Sequence, residues 1–210
     1  MFNKLAAIAL NTFIETIRQP VYSILVWVAI FWVALVSPSL AAFSLEIGND
    51  AKVMQDVGLA TLLLYGLLAS VFSATGVITR EIESQTVLTV VSKPVSRPLF
   101  VVGKYAGVTA AILVGYYLVS LTFFMAARHG TMETAADQWD QPVWTFGLIA
   151  VGLAVLAGAF GNYFYGWNFF TTLTSTIVPG MTLALALVLF LSPKWAWQPP
   201  TTDFHDGQLI

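Results

Sequence analysis

The chain has 210 residues, of which 58% are hydrophobic and only 10% charged, against roughly 25% charged in an ordinary soluble domain. Its net charge is −2 and it has no cysteine. This excludes a soluble enzyme, a disordered chain, disulfides and thiolate metal sites, and it carries no nucleic-acid signature. A spanning helix needs about 20 apolar residues, so the length holds about five of them with short loops and no sizeable soluble domain.

Residues 2–18 read as an amphipathic helix. Lys4, Asn11, Glu15 and Arg18 share one face, while Phe2, Ala6, Ala9, Leu10, Phe13, Ile14 and Ile17 form the other. That pattern suits a helix lying in the membrane interface. Gln19-Pro20 marks a break, because proline disfavours helical geometry in the residue before it. A first, short span follows over 21–36, and it ends at Ser37-Pro38. Residues 39–55 read as a polar loop around a Gly48-Asn49 turn signal.

The second span is expected over 57–78, followed by a charged interruption at 79–98. The third is expected over 99–127, with a polar loop at 128–142 carrying Glu133, Asp137 and Asp140. The fourth covers 143–160, an uncharged aromatic connection covers 161–170, and the fifth covers 171–191. A proline-containing tail runs from Ser192 to Asp203, His205, Asp206 and the end of the chain. The fold expected is all-α: a polytopic transmembrane bundle of about five spans after an N-terminal interfacial helix.

Charge sets the orientation. With the N-terminus in the cytoplasm, the inner segments hold Lys4, Arg18, Arg80, Lys93, Arg97 and Lys104 against Glu15, Glu81 and Glu83. The outer segments hold Lys52, Arg128 and Lys194 against eight acids. Basic residues favour the cytoplasmic side, so the N-terminus is expected inside. The 161–170 connection has no charge with which to test its side.

The stretch from Thr79 to Tyr105 (TREIESQTVLTVVSKPVSRPLFVVGKY) holds the most information. Arg80 to about Val91 can form a short amphipathic helix, broken at Ser92-Lys93-Pro94. Ser96 is placed to cap the next helix, with Pro98 tolerated in its first turn. Read from composition, this is a charged loop that fixes topology or a docking element for a soluble partner.

The residues themselves resemble the cytoplasmic loop of exporter-type permeases of the type-2 ABC (ATP-binding cassette) transporter superfamily. The resemblance rests on Arg80-Glu81-Ile82-Glu83, Thr86, Ser92-Lys93-Pro94-Val95-Ser96-Arg97 and Gly103-Lys104-Tyr105. The amphipathic N-terminal helix is similar to that family's too. The resemblance implies a coupling helix that docks on a separate ATPase subunit. In it Arg80, Glu81, Glu83, Ser84, Thr86, Lys93, Pro94 and Arg97 form the coupling loop, with Glu81, Glu83, Ser84 and Thr86 assigned to docking. Lys93 and Arg97 suit lipid phosphates equally well.

The resemblance further implies a second permease subunit, as a homo- or heterodimer, and a multi-pass location in the plasma or inner membrane of a bacterial cell. The family usually has at least six spans, against five here. Asp206 to Ile210 reads as the start of another helix, so a C-terminally incomplete permease is expected.

The chain contains no G-x-x-x-x-G-K-[ST] phosphate loop, so ATP hydrolysis is expected in a partner rather than here. No cofactor or metal is expected, although Asp203, His205 and Asp206 form the one cluster with ligating chemistry. The absence of an acidic residue at the centre of any span argues against a proton-driven transporter. Ser70, Ser73, Thr75, Ser120, Thr122, Thr174 and Ser175 lie within spans, and most are expected to bond carbonyls of the preceding turn. Gly103/Gly107 and Ala154/Gly158 are small-residue pairs suited to close helix packing, within the chain or across a dimer. The functional alternative from another class is a non-transport membrane scaffold that anchors a soluble partner.

Overall fold

The computed structural model of the chain describes residues 2–36, 50–84, 97–130 and 141–191. The regular elements among them are all helices. They are α1 (Phe2–Ile17), α2 (Pro20–Phe31, running on as a π-helical segment, Trp32–Val36), α3 (Asp50–Ser84), α4 (Arg97–His129), α5 (Gln141–Tyr165) and α6 (Phe169–Leu191). Among the described residues four stretches are long and apolar enough to cross a membrane: Lys52–Val77, Pro98–His129, Gln141–Tyr165 and Phe169–Leu191. Asn3–Ile17 and Pro20–Val36 make a bent pair, 64° apart, that counts as a fifth if the two are taken as one broken span. The chain is an all-α polytopic helix bundle, as its hydropathy pattern predicts.

The break at Gln19-Pro20 is where the sequence places it. Gln19 has extended backbone (φ −70°, ψ 129°), and Pro20 opens α2 at a position where its missing N–H costs nothing. Helix limits differ most from the expectation at three places. Residues 50–55, read as loop, belong to α3. Residues 79–84 continue α3 without interruption, so Arg80 to Ser84 form its last turns and not the start of a separate short helix. Residues 161–165 extend α5, which shortens the aromatic connection to 166–168. The reason is common to all three. Polarity marks where the membrane ends, whereas a helix stops where its backbone hydrogen bonding is broken.

The 166–168 turn has its own chemistry. Gly166 takes a left-handed φ of 65° and its N–H donates to the Asn162 carbonyl at 3.2 Å. This is an αL cap, which glycine adopts without a Cβ penalty. Asn168 then caps α6: its Oδ1 accepts the Thr171 N–H at 3.2 Å.

Two antiparallel hairpins result. In the first, α3 packs on α4, with Gly58 against Phe123, Gly66 against Tyr116 and Tyr65 against Gly115. In the second, α5 packs on α6, with Ala150 against Gly180 and Gly158 against Phe169. Apolar side chains gain little from leaving lipid for protein, so close backbone approach at small residues must supply the packing energy. The Ala154/Gly158 pair serves that purpose inside the chain, both residues being buried on α5.

Helix α4 is the centre of the bundle. It touches α1, α2, α3, α5 and α6, and 44% of its apolar window is buried, against 22–28% for the other three spans. The outward faces are apolar, with Leu63, Leu67, Leu153, Leu156 and Phe190 all exposed. Hydroxyl groups are satisfied locally: Ser70, Thr75, Ser120, Thr122 and Ser175 each donate to a carbonyl three or four residues earlier. Thus five of the seven hydroxyls noted in the spans bond backbone as expected.

Candidate functional site

The site proposed from the sequence lies at the end of the bundle where α3 finishes and α4 begins. The register of the first hairpin brings Ser84 and Arg97 to the same end, because Tyr65 meets Gly115 and Gly58 meets Phe123. Glu81, Glu83 and Ser84 belong to the last turns of α3, and Arg97 opens α4. Thr86, Lys93 and Pro94 lie outside the described residues, as do Asp203, His205 and Asp206.

Helix α1 is built into this end and does not stand apart from it. Its packing stripe runs through Ile8, Ala9 and Thr12, against Gly103 and Gly107 of α4. A Cβ on Gly103 would lie 2.8 Å from Ile8 Cγ2, and one on Gly107 would lie 2.8 Å from Thr12 Cβ. The GxxxG motif therefore holds α1 on α4 within one chain. Thr12 and Thr16 are both fully buried, although neither belongs to the apolar face read from the sequence. Thr16 Oγ1 donates to the Thr12 carbonyl at 2.8 Å, so the buried hydroxyl carries no unpaired proton.

Beside that stripe, Glu15 of α1 faces α3. Arg80 Nη1 lies 3.6 Å from Glu15 Oε1, with the side chains 45% and 33% exposed. At that exposure the pair orients the two helices more than it stabilises them. One turn away Gln19 packs on Gly76, where a Cβ would lie 2.8 Å from Gln19 Oε1. Arg18 reaches the second hairpin, its Nε–H donating to Thr171 Oγ1 at 3.4 Å. The 166–168 turn therefore lies at the same end of the bundle as Arg18 and Arg80. That sidedness could not be read from an uncharged connection. At this end α1 acts as a strut between both hairpins.

Sequence reasoning missed a buried polar joint just inside the bend. The Tyr22 hydroxyl donates to the Ala111 carbonyl at 2.8 Å. The Tyr65 hydroxyl reaches the same place from α3, so any side chain at Gly115 would collide with it and would lie 3.0 Å from the Tyr22 hydroxyl. Tyr22 and Tyr65 are each 3% exposed. Tyr65, in the middle of an apolar run, was the available signal, since a tyrosine hydroxyl needs a partner in a membrane. Beside the joint, Gln19 Nε2 and Ser23 Oγ are buried and have no hydrogen-bond partner among the described residues.

Next to Ser23 a narrow crevice of about 10 Å³, room for about one water, separates α2 from α6 over Leu118 of α4. Trp27, Ile30, Leu173, Thr174 and Ile177 complete most of its lining. At the opposite end of the bundle His129 packs edge-on against Trp144, ring centroids 5.9 Å apart. No group of three metal-ligating side chains exists among the described residues.

The chain matches no protein-family model, no curated protein and no solved structure. What is established is a multi-pass helical bundle with four or five apolar spans, whose charged end is braced by an N-terminal helix.

Proposed function

We propose that this chain is the membrane-spanning permease subunit of an ABC transporter, coupling ATP hydrolysis by a separate subunit to export across the plasma or inner membrane. The observation that carries the reading is the segment from Arg80 to Tyr105, with its R-E-I-E, S-K-P-V-S-R and G-K-Y elements in order. The geometry is favourable to it. Helix α3 continues from the end of its apolar stretch at Val77 to Ser84, so its polar turns extend beyond the membrane-crossing part. Arg80 and Gly103 both bear on α1, so force applied to the 85–96 segment passes to helices packed on one strut. A rigid element of this kind suits a mechanism in which bound nucleotide biases two arrangements of an assembly. A second copy, or a related permease, completes the membrane path in this reading.

The test is a gentle-detergent pull-down of the chain from its native membrane, with ATP hydrolysis assayed in the eluate. A co-purifying ATPase is expected, together with loss or uncoupling of its activity in a Glu83→Ala, Thr86→Ala variant that still inserts in the membrane. An eluate without ATPase overturns the reading and favours a scaffold.

A further inference from the structure

We infer that the aromatic end of α5 and its turn into α6 form a membrane-interface anchor. Its rings seat at the boundary of headgroups and acyl chains in the leaflet on the Arg18 side, and they fix the depth of the second hairpin. The partner is the lipid surface itself, whichever function the bundle serves.

The outward face of α5 carries one stripe at helical spacing: Ile149, Leu153, Leu156, Phe160, Tyr163 and Phe164, each more than half exposed. The stripe is aliphatic in the middle and aromatic at its end. Leu153 is the middle residue of Gln141–Tyr165. Tyr163 stands ten residues further on, a rise of about 15 Å, which is half of the roughly 30 Å hydrocarbon core. A face that is aliphatic at mid-depth and gains tyrosine and tryptophan at the core boundary follows the polarity gradient of a bilayer. A protein partner would impose no such gradient.

Arg18 marks the same depth independently. Its Nε–H donates at 3.4 Å to Thr171 Oγ1, in the first turn of α6. A guanidinium avoids hydrocarbon, so Thr171 lies near the interface and the 166–168 turn lies among the headgroups. The hairpin has no Asp, Glu, Lys, Arg or His from 141 to 191, so no charged side chain of its own can set its depth. The rings are already ordered. Gly166 turns the chain so that Tyr165 and Trp167 stack with centroids 5.0 Å apart, while Phe160 and Phe164 lie 4.4 Å apart. Trp167 also covers Gly161, where a Cβ would lie 2.9 Å from its ring. Rings held in this way lose little freedom on entering lipid. The Tyr163 and Tyr165 hydroxyls and the Trp167 indole N–H make no hydrogen bond among the described residues, which leaves them for headgroups and interfacial water.

The chain has no cysteine, so single thiols can carry a nitrobenzoxadiazole probe. Labelled Tyr163→Cys and Leu153→Cys variants, reconstituted at high dilution in phosphatidylcholine vesicles, test the anchor. The vesicles contain lipid with a nitroxide near either the carbonyl end or the methyl end of its acyl chain. The probe at 163 should be quenched more by the shallow nitroxide, and the probe at 153 more by the deep one. Quenching at 163 by neither nitroxide, as in water or beneath a protein partner, or more by the deep one, would overturn the seat. A third variant, Phe160→Cys, separates anchoring from location. Adding Tyr163→Leu and Tyr165→Leu should shift its quenching toward the deep nitroxide, and Tyr163→Trp with Tyr165→Trp should leave it in place. An unchanged quenching ratio in the leucine variant would overturn the anchor.

Discussion

Substituting Gly107 with alanine tests the claim that α1 is clamped to α4 through backbone contact. The added Cβ would stand 2.8 Å from Thr12 Cβ and 3.0 Å from the Phe13 nitrogen, and closer still to the Ala9 carbonyl. Carbon atoms pack at about 3.5–4.0 Å, so α1 must retreat by roughly 0.7 Å or more. These neighbours are backbone or Cβ atoms, so no rotamer change relieves the clash. Overpacking of this kind costs about 1–3 kcal/mol. Alanine also favours a helix over glycine by about 1 kcal/mol, and the control must carry the same gain.

Gly152→Ala is that control, since its Cβ would meet nothing within 4 Å. Unfolding in mixed micelles, followed by tryptophan emission, should place Gly107→Ala about 1–3 kcal/mol below Gly152→Ala. A second readout uses the absence of native cysteine. Thr12→Cys puts a single thiol at a site 1% exposed, and its maleimide labelling should accelerate when Gly107 is alanine. Equal stability and equal labelling in the two backgrounds would refute the clamp.

Other substitutions probe the joint and the turn. Tyr22→Phe removes the 2.8 Å bond to the Ala111 carbonyl and should cost about 0.6–1.7 kcal/mol in the same unfolding assay, the range for interhelical hydrogen bonds within a membrane. Asn168→Ala removes the cap on the Thr171 N–H and should cost about 1 kcal/mol, while Asn168→Asp or Asn168→Ser should retain most of the stability. Protease cleavage at the 166–168 turn should quicken with Asn168→Ala and stay near the wild-type rate in the retaining variants.

The candidate site was legible in the sequence as a motif and only in part as a structure. Charges, prolines and glycines marked residues 79–98 as distinct, because they interrupt an apolar pattern that spans a membrane. They also suggested a separate short helix starting at Arg80, where α3 in fact continues to Ser84. Nothing in Thr79-Arg80-Glu81-Ile82-Glu83-Ser84 breaks a helix, and no local signal distinguishes a new helix from the end of an old one. The Glu15–Arg80 pair and the Gln19–Gly76 contact join residues more than fifty positions apart, beyond the reach of any local pattern.

Local residue patterns determined the helical class, the four or five apolar stretches, the bend at Gln19-Pro20 and the gathering of most basic residues at one end. Each of these depends on local composition: apolar runs must satisfy their backbone internally in lipid, and proline constrains the residue before it. The tertiary structure alone decided that Gly103 and Gly107 receive α1, that Tyr22 and Tyr65 converge on Gly115, and that the aromatic turn lies at the Arg18 end. Those outcomes depend on which small residues let distant backbones approach. In a membrane, where apolar faces have little to gain from one another, that close approach selects the partners.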